Sequence, residues 1–449
     1  MNPPPAQSGS DDSPRNHGVL RREVGVLGAA MMGLGSILGT GIFVSIGIAA
    51  GAAGPAVVLA IAIAAVVAVC NGLSSAQLAA NHPRSGGTYE YGYRWLHPRL
   101  GFVAGWMFLC AKSASAATAA LGFAGYALNA FGQRESNLLV PVATGVVVVL
   151  TVLVLSGIRR SSRTNMAIVS VTFAALVLFV LAGLPSALSN GLENLRPFFA
   201  PTSGQSPLTG LLEATALMFV AYTGYGRIAT LSEEIEEPRR NIPKAIALTL
   251  IASMALYMAV GLVAVAVAGA PSLASATVQH AAPLEVVARR FGGTGLALCV
   301  SVGAITAMLG VLLNLILGLS RVVLAMGRRG DLPPPLAKLS RSDSNPVAAV
   351  VLIGAVTAGL TLIGNVKTTW SFSAFTVLIY YALTNLSAIR MSERERLYPR
   401  FIPWVGLVSC VFLAFWVESK IWITGLGLIV VGLLWQVAAQ RLFQSNGDN

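Results

Sequence analysis

Charge is what this sequence has least of. Only 11% of its residues are Asp, Glu, Lys or Arg, and acids are the scarcer sign, 18 against 30 bases. A chain of 449 residues folded as soluble domains would carry about a quarter charged residues, so that class is excluded. Histidine is sparse as well: His17, His82, His97 and His280 are scattered through tail and loops, and their spacing assembles no metal cluster. No nucleophile stands beside a base, so an enzyme is not expected, and neither a metal nor an organic cofactor is called for. The cysteines, Cys70, Cys110, Cys299 and Cys410, all fall inside apolar runs, which excludes a disulfide framework across outer loops. Gly33-Leu34-Gly35 followed by Gly39 has the outline of a dinucleotide loop, but no strand precedes it.

What is present is apolar length. The chain is 55% hydrophobic with a mean hydropathy of +0.72, the signature of a polytopic membrane protein. Residues 1–22, rich in Pro, Ser, Asn and Asp, read as a disordered cytoplasmic tail. Twelve apolar segments then follow, roughly 24–50, 54–80, 101–131, 138–156, 164–185, 207–232, 243–269, 293–326, 345–363, 369–390, 401–417 and 420–438. Most are about the length of a spanning helix, roughly 20 residues. The first is too long for a cleavable signal and lacks an A-x-A exit. One transmembrane domain over 23–441 is expected, with residues 442–449 as a second cytoplasmic tail. With the N-terminus inside, most of the 30 Lys and Arg collect at cytoplasmic ends and loops, so both termini are placed in the cytoplasm. The net charge of +12 then serves topology and not a nucleic-acid partner; the expected partner surface is the lipid bilayer of the plasma or inner membrane.

Two segments are interrupted. Gly33-Leu34-Gly35-Ser36-Ile37-Leu38-Gly39-Thr40-Gly41 lies mid-way along the first, and Phe219-Val220-Ala221-Tyr222-Thr223-Gly224-Tyr225-Gly226 along the sixth. Non-helical backbone at that depth is tolerated where it is buried in protein or lines a polar cavity. Five crossings separate the two breaks, so segments 1–5 and 6–10 run in opposite senses. Breaks in corresponding positions of two halves point to an inverted-repeat transporter with its site at the repeat interface.

These residues resemble the amino acid–polyamine–organocation superfamily of permeases over nearly the whole chain. Gly35 to Phe43 is similar to its first-helix signature. Pro83-Arg84-Ser85-Gly86-Gly87-Thr88-Tyr89-Glu90-Tyr91 is similar to the loop after the second helix. Phe219 to Tyr225, followed by Glu233 to Lys244, resembles the sixth-helix signature, and Gly330-Asp331-Leu332-Pro333 the corner after the eighth. The nearest likeness is to the bacterial branch related to the cationic amino acid transporters. The resemblance implies an all-α, LeuT-like 5+5 inverted repeat (about 24–185 and 207–390) with broken helices 1 and 6, followed by two C-terminal helices over about 401–438. It implies an amino acid substrate moved by alternating access. The α-carboxylate would meet N–H groups around Gly39, Thr40 and Gly41, and the ammonium would meet carbonyls of Val220, Ala221 and Thr223, with Ile37, Tyr222 and Gly224 completing the expected substrate-binding set. A half-helix N-terminus suits an anion and orphaned carbonyls suit a cation. Tyr222 or Tyr225 is either a gate or an aromatic packed between helices.

Four further residues are coupling or gating candidates. Lys112 lies near mid-depth, where an ionisable group is a functional candidate by default; it either titrates with coupled protons or is a fixed cation paired with a helix end or a carboxylate. Glu213 faces a vestibule or partners a substrate or Lys112. Arg227 is a cytoplasmic-side gate or structural cation, with Glu233 and Glu234 as partners. Thr172 stands where many relatives carry a lysine, and its hydroxyl is a candidate sodium ligand. Lys112, where cationic-substrate relatives carry an acid, disfavours an arginine or lysine substrate. The expectation is a permease for neutral amino acids, driven by protons or exchange. The alternatives are a cationic amino acid or polyamine permease, and a non-transporting amino acid receptor, which an attached signalling domain would favour. Gly41→Val is expected to abolish uptake while folding persists.

Overall fold

The computed structural model describes residues 24–444, apart from 85, 134–135, 158–161, 202–203, 231 and 341–345. The tail expected over 1–22, and the bases at 134, 159, 160 and 341, lie outside the described residues. Every element is helical: among the described residues no strand forms, only one isolated parallel bridge between Val24 and Ile235.

The first apolar run is three pieces, α1 (Val26–Ile37), α2 (Thr40–Phe43) and α3 (Ser45–Ala53). There follow α4 (Val57–Asn81), α5 (Thr88–Trp95), α6 (Pro98–Ala130), α7 (Leu139–Leu155) and α8 (Ser162–Asn194). The second half holds α9 (Pro207–Tyr222), α10 (Gly226–Thr230), α11 (Pro238–Ala268), α12 (Ala270–His280), α13 (Pro283–Arg328), α14 (Val347–Thr361) and α15 (Val366–Arg390). Last come α16 (Phe401–Ala414) and α17 (Ser419–Ala439). Proline opens α6, α9, α11 and α13, where its missing N–H costs nothing. Asn365 caps α15, its Oδ1 accepting from the N–H groups of Lys367 and Thr368 at 2.9 and 3.2 Å.

Among the described residues seven stretches are long and apolar enough to cross a membrane, including Ser45–Asn81, Pro98–Ala130 and Pro283–Arg328. Four apolar helices, α1, α7, α14 and α16, are shorter. The sequence-based boundaries miss in two ways. The fifth segment does not stop at Pro185 but runs to Asn194 with the proline inside α8, since one lost hydrogen bond is bearable in a helix braced by neighbours. The interface helices α5 and α12 were hidden because each is short and only half apolar. Gly293, at φ 64°, kinks α13 where the eighth apolar segment was expected to begin.

The helices pack in a definite pattern. α4 lies on α9 and on α11; α1 lies on α11; α6 lies on α13, α7 and α15; α13 lies on α8 and α14; α7 lies on α14. Small residues bring the elements into close contact. α5 crosses α6 at Gly92 and Gly101, where a Cβ on Gly92 would stand 2.5 Å from the Gly101 Cα. This contact fixes α5 across one end of the bundle.

Candidate functional site

The first break is a gap of two residues. Leu38 has ψ 90° and Gly39 has φ −169° and ψ −131°, so helix stops at Ile37 and restarts at Thr40. The sixth break is tighter: α9 and α10 are joined by a single 3₁₀ turn over Thr223–Tyr225. The two breaks face each other. A Cβ on Gly224 would stand 2.5 Å from the Ser36 carbonyl carbon, and one on Gly41 would stand 2.7 Å from the Ala221 Cβ. Both positions therefore accept only glycine without a backbone shift.

The carbonyls that the breaks release are held by tyrosine hydroxyls. Tyr257 on α11 donates to Ile37 O at 2.7 Å and to Ala221 O at 3.3 Å, and Tyr381 on α15 donates to Thr223 O at 3.1 Å. Neither tyrosine was singled out from the sequence. The signal available was a polar-tipped aromatic inside an apolar helix, which needs a partner when buried. Tyr222 packs against Tyr257, ring centroids 5.0 Å apart, and Tyr225 against Tyr381 at 5.5 Å; both are buried packing residues here and neither lines the cavity.

A cavity of about 140 Å³ opens beside the breaks. At roughly 10–15 Å³ per water-sized group it holds on the order of ten such groups, the size class of one amino acid. Ser36, Thr223 and Gly224 of the breaks line it, together with Phe108, Val311, Leu315 and Tyr381 and with Arg227, Thr230, Arg321, Ala325 and Gly86. Of the nine residues expected to hold substrate, Thr223 and Gly224 line the cavity. Ile37, Gly39, Thr40, Gly41, Val220, Ala221 and Tyr222 lie behind it in the packed contact between the breaks.

The coupling candidates separate. Lys112 lines the cavity, and its Nζ donates to Thr223 Oγ1 at 2.9 Å. Arg227 also lines it, close to Gly318 of α13. Thr172 is buried away from the cavity, donating to Ile168 O at 2.8 Å and lying 3.4 Å from Gly303 O. Glu213 neither meets Lys112 nor faces water: it is buried, with Lys367 Nζ 3.8 Å away, and Lys367 in turn reaches Glu418 at 2.6 Å. The expected vestibule carboxylate is thus one member of an ion cluster at the start of α15. A lysine two residues outside an apolar run carries no sequence mark of its partner.

Two of the sequence motifs, more than two hundred residues apart, meet where α5 packs on the end of α13. Tyr89 and Tyr93 of α5 both donate to Asp331 Oδ2 at 2.7 Å. Arg329 lies over the Tyr93 ring at 4.0 Å and bonds both oxygens of Glu90 at 2.9 Å. Trp435 of α17 donates to Asp331 O at 2.9 Å. Burial and the neighbouring Asp331 carboxylate hold both tyrosine hydroxyls well above their ordinary pKa, so they stay donors. The cluster straps α5 to the end of α13 and to α17.

A family model described as "Amino acid permease" matches residues 28–445. The chain belongs to the amino acid permease family. Relatives agree with the match. An uncharacterized transporter of Mycobacterium tuberculosis is 41% identical over 92% of this chain and 90% of its own length. The branched-chain amino acid permease BcaP of Bacillus subtilis is 26% identical over 93% and 91%. Cationic amino acid transporter 4 of Homo sapiens is 28% identical over 82% and 60%. The permease is thus an all-helical integral membrane transporter of the amino acid–polyamine–organocation superfamily, with a small-molecule amino acid as its substrate class.

Proposed function

We propose that the permease is a secondary active transporter of neutral amino acids, working by alternating access and driven by protons or exchange. The observation that carries this reading is the amino-acid-sized cavity bounded on one side by two helix breaks that pack on each other. Among the described residues its lining contains Lys112, Arg227 and Arg321 and no acid, which opposes a cationic substrate, while Val311, Leu315 and Val322 suit an apolar side chain. A relative named as a branched-chain amino acid permease is consistent with that choice.

The proposed architecture is twelve crossings in one domain over 23–441: a 5+5 inverted repeat and two further helices. The packing supports it. Numbering the crossings in order, α6 on α15 is 3 on 10, and its repeat-related counterpart, 8 on 5, is α13 on α8. In the same way α4 on α9 (2 on 6) corresponds to α11 on α1 (7 on 1), and α6 on α7 corresponds to α13 on α14. Exchanging the halves maps contacts onto contacts, as a repeat requires. With both termini cytoplasmic in the plasma or inner membrane, the mouth at Gly86 and Ala325 faces the cytoplasm, so this is the inward-facing state. The packed residues Gly39 to Gly41 and Val220 to Tyr222 form the barrier that slides when the site opens outward.

The test is uptake into liposomes by the purified full chain, with labelled leucine, alanine, arginine and glutamate under imposed proton and sodium gradients. Saturable leucine or alanine uptake supports the reading. Uptake confined to arginine would replace it with the cationic alternative, and saturable binding without flux would replace it with a receptor.

A further inference from the structure

The ion cluster at the start of α15 joins three crossings. Glu213, two turns into α9, has 3% of its side chain exposed, and Lys367 Nζ stands 3.8 Å from it. Lys367 is closer to Glu418, at 2.6 Å, a residue 46% exposed at the head of α17. One turn deeper the same two helices meet again: Trp370 of α15 donates its Nε1–H to Leu217 O of α9 at 3.0 Å. Residues 213 and 217 share a face of α9, as 367 and 370 share a face of α15, so the two ties run like rungs along one seam.

Each side of that seam is a body in its own right. α9 lies on α2 and α3 in close backbone contact at both ends. A Cβ on Gly210 would strike the Ala52 carbonyl, and one on Gly41 would stand 2.7 Å from the Ala221 Cβ. α15 is bonded to α6 through Ser115 with Ser373 at 2.7 Å and Thr118 with Thr369 at 2.8 Å, hydroxyl pairs that hold helices together in apolar surroundings. Between the bodies run the two rungs and one further bond, from Tyr126 of α6 to Phe43 O at 2.8 Å. Among the described residues Glu213 and Lys367 form the only ion pair across the seam. The charges are arranged for release. Breaking a buried pair is costly because each charge is left bare. Here Lys367 keeps Glu418 when it leaves Glu213, and Glu213 meets the water that enters a parted seam.

We propose that Lys367 is a positioning residue of the transport cycle: it latches the outer half of α9 to α15 while the cavity faces the cytoplasm, and stays on Glu418 when the outer side opens. The crossing α17, outside the proposed 5+5 repeat, is thereby the anchor of the latch. The inference rests on the alternating-access reading and on this state being the inward-facing one.

The test follows a cysteine at Ala325 in inside-out membrane vesicles holding the full chain, with labelling by a membrane-impermeant maleimide counted above that of the chain without Ala325→Cys. Lys367→Met removes the latch, shifts the population toward the outward-facing state, and should slow labelling by about three- to tenfold. Glu213→Gln should slow it comparably, and the double variant little further, since both remove one pair. Lys367→Arg should restore the parent rate. If the cluster only holds the fold together, melting temperature falls while the folded protein labels at the parent rate, and the inference fails. Should Lys367→Met not elute as a single peak in size exclusion, Trp370→Phe decides. It keeps the ring, removes the lower rung, and should slow labelling at least about twofold; an unchanged rate overturns the latch. If Ala325→Cys alone is not labelled from the cytoplasmic side, the inward-facing assignment fails and takes the inference with it. Wild type without saturable leucine uptake in liposomes would remove the transport reading, whatever the labelling shows.

Discussion

Three glycines and one histidine show how much individual residues decide. The Gly224 position leaves 2.5 Å to the Ser36 backbone, and backbone cannot swing aside as a side chain can. Gly224→Ala should cost about 1–3 kcal/mol by overpacking and depress uptake, read as a lower melting temperature and a lower flux. Gly145→Ala on α7, with nothing within 4 Å, is the matched control and should lower neither, since alanine is the better helix former. Gly41→Val, expected from sequence to spare folding, meets Ala221 Cα at 2.8 Å and Tyr257 Oη at 3.0 Å; the structure revises the outcome to loss of both stability and uptake. His82, just past α4, is buried and its Nδ1 accepts from Arg94 at 3.1 Å. Burial first, then Arg94 and Arg84, push its pKa down to about 4. The unfolded chain, with its histidine near 6.5, binds more protons between pH 6.5 and 4, so this contribution to stability is lost as pH falls through that window. Melting curves of wild type should therefore drop more steeply from pH 7 to 4.5 than those of His82→Gln; parallel curves would contradict the assignment.

The short helix α5 is an element whose place is set by others. Its Gly92 lies on Gly101 of α6, its Thr88 Oγ1 lies 2.7 Å from Thr384 Oγ1 of α15, and its Tyr89 and Tyr93 end on Asp331 after α13. Asp331→Ala would leave the buried Tyr89 hydroxyl without an acceptor, at about 1–3 kcal/mol, and would also free the partly buried Tyr93 hydroxyl. The expected result is a clear fall in melting temperature, with Tyr89→Phe losing less because it removes donor and bond together. Equal melting of Asp331→Ala and wild type would mean that the strap contributes nothing to stability.

Seen whole, the bundle holds a cavity whose lining includes Ser36 and Thr223 at the breaks as well as Arg321 and Ala325 of α13, and the two breaks pack on each other. A cysteine at Ala325 should then react with a membrane-impermeant maleimide from the cytoplasmic face only. A cysteine at Val278 on α12, which is 77% exposed and which the proposed topology puts outside, should react from outside only. Labelling of both from one face would overturn the orientation. Saturating substrate that drives the outward turn should slow labelling at Ala325.

The chain's own order of residues determined the class: apolar runs of bilayer length can only cross as helices, and glycines at two corresponding points can only weaken two of those helices. It also marked Lys112 as exceptional, since a lysine amid alanines and serines of an apolar run is visible without coordinates. Tertiary structure alone decided what each mark meant. Tyr257 and Tyr381 take the released carbonyls, Glu213 turns to Lys367 and not to Lys112, and Asp331 meets two tyrosines of the distant helix α5. The reason is physical: burial and periodicity are local properties of a segment, whereas the partner of a buried polar group is chosen by whichever helix packing brings within 3 Å.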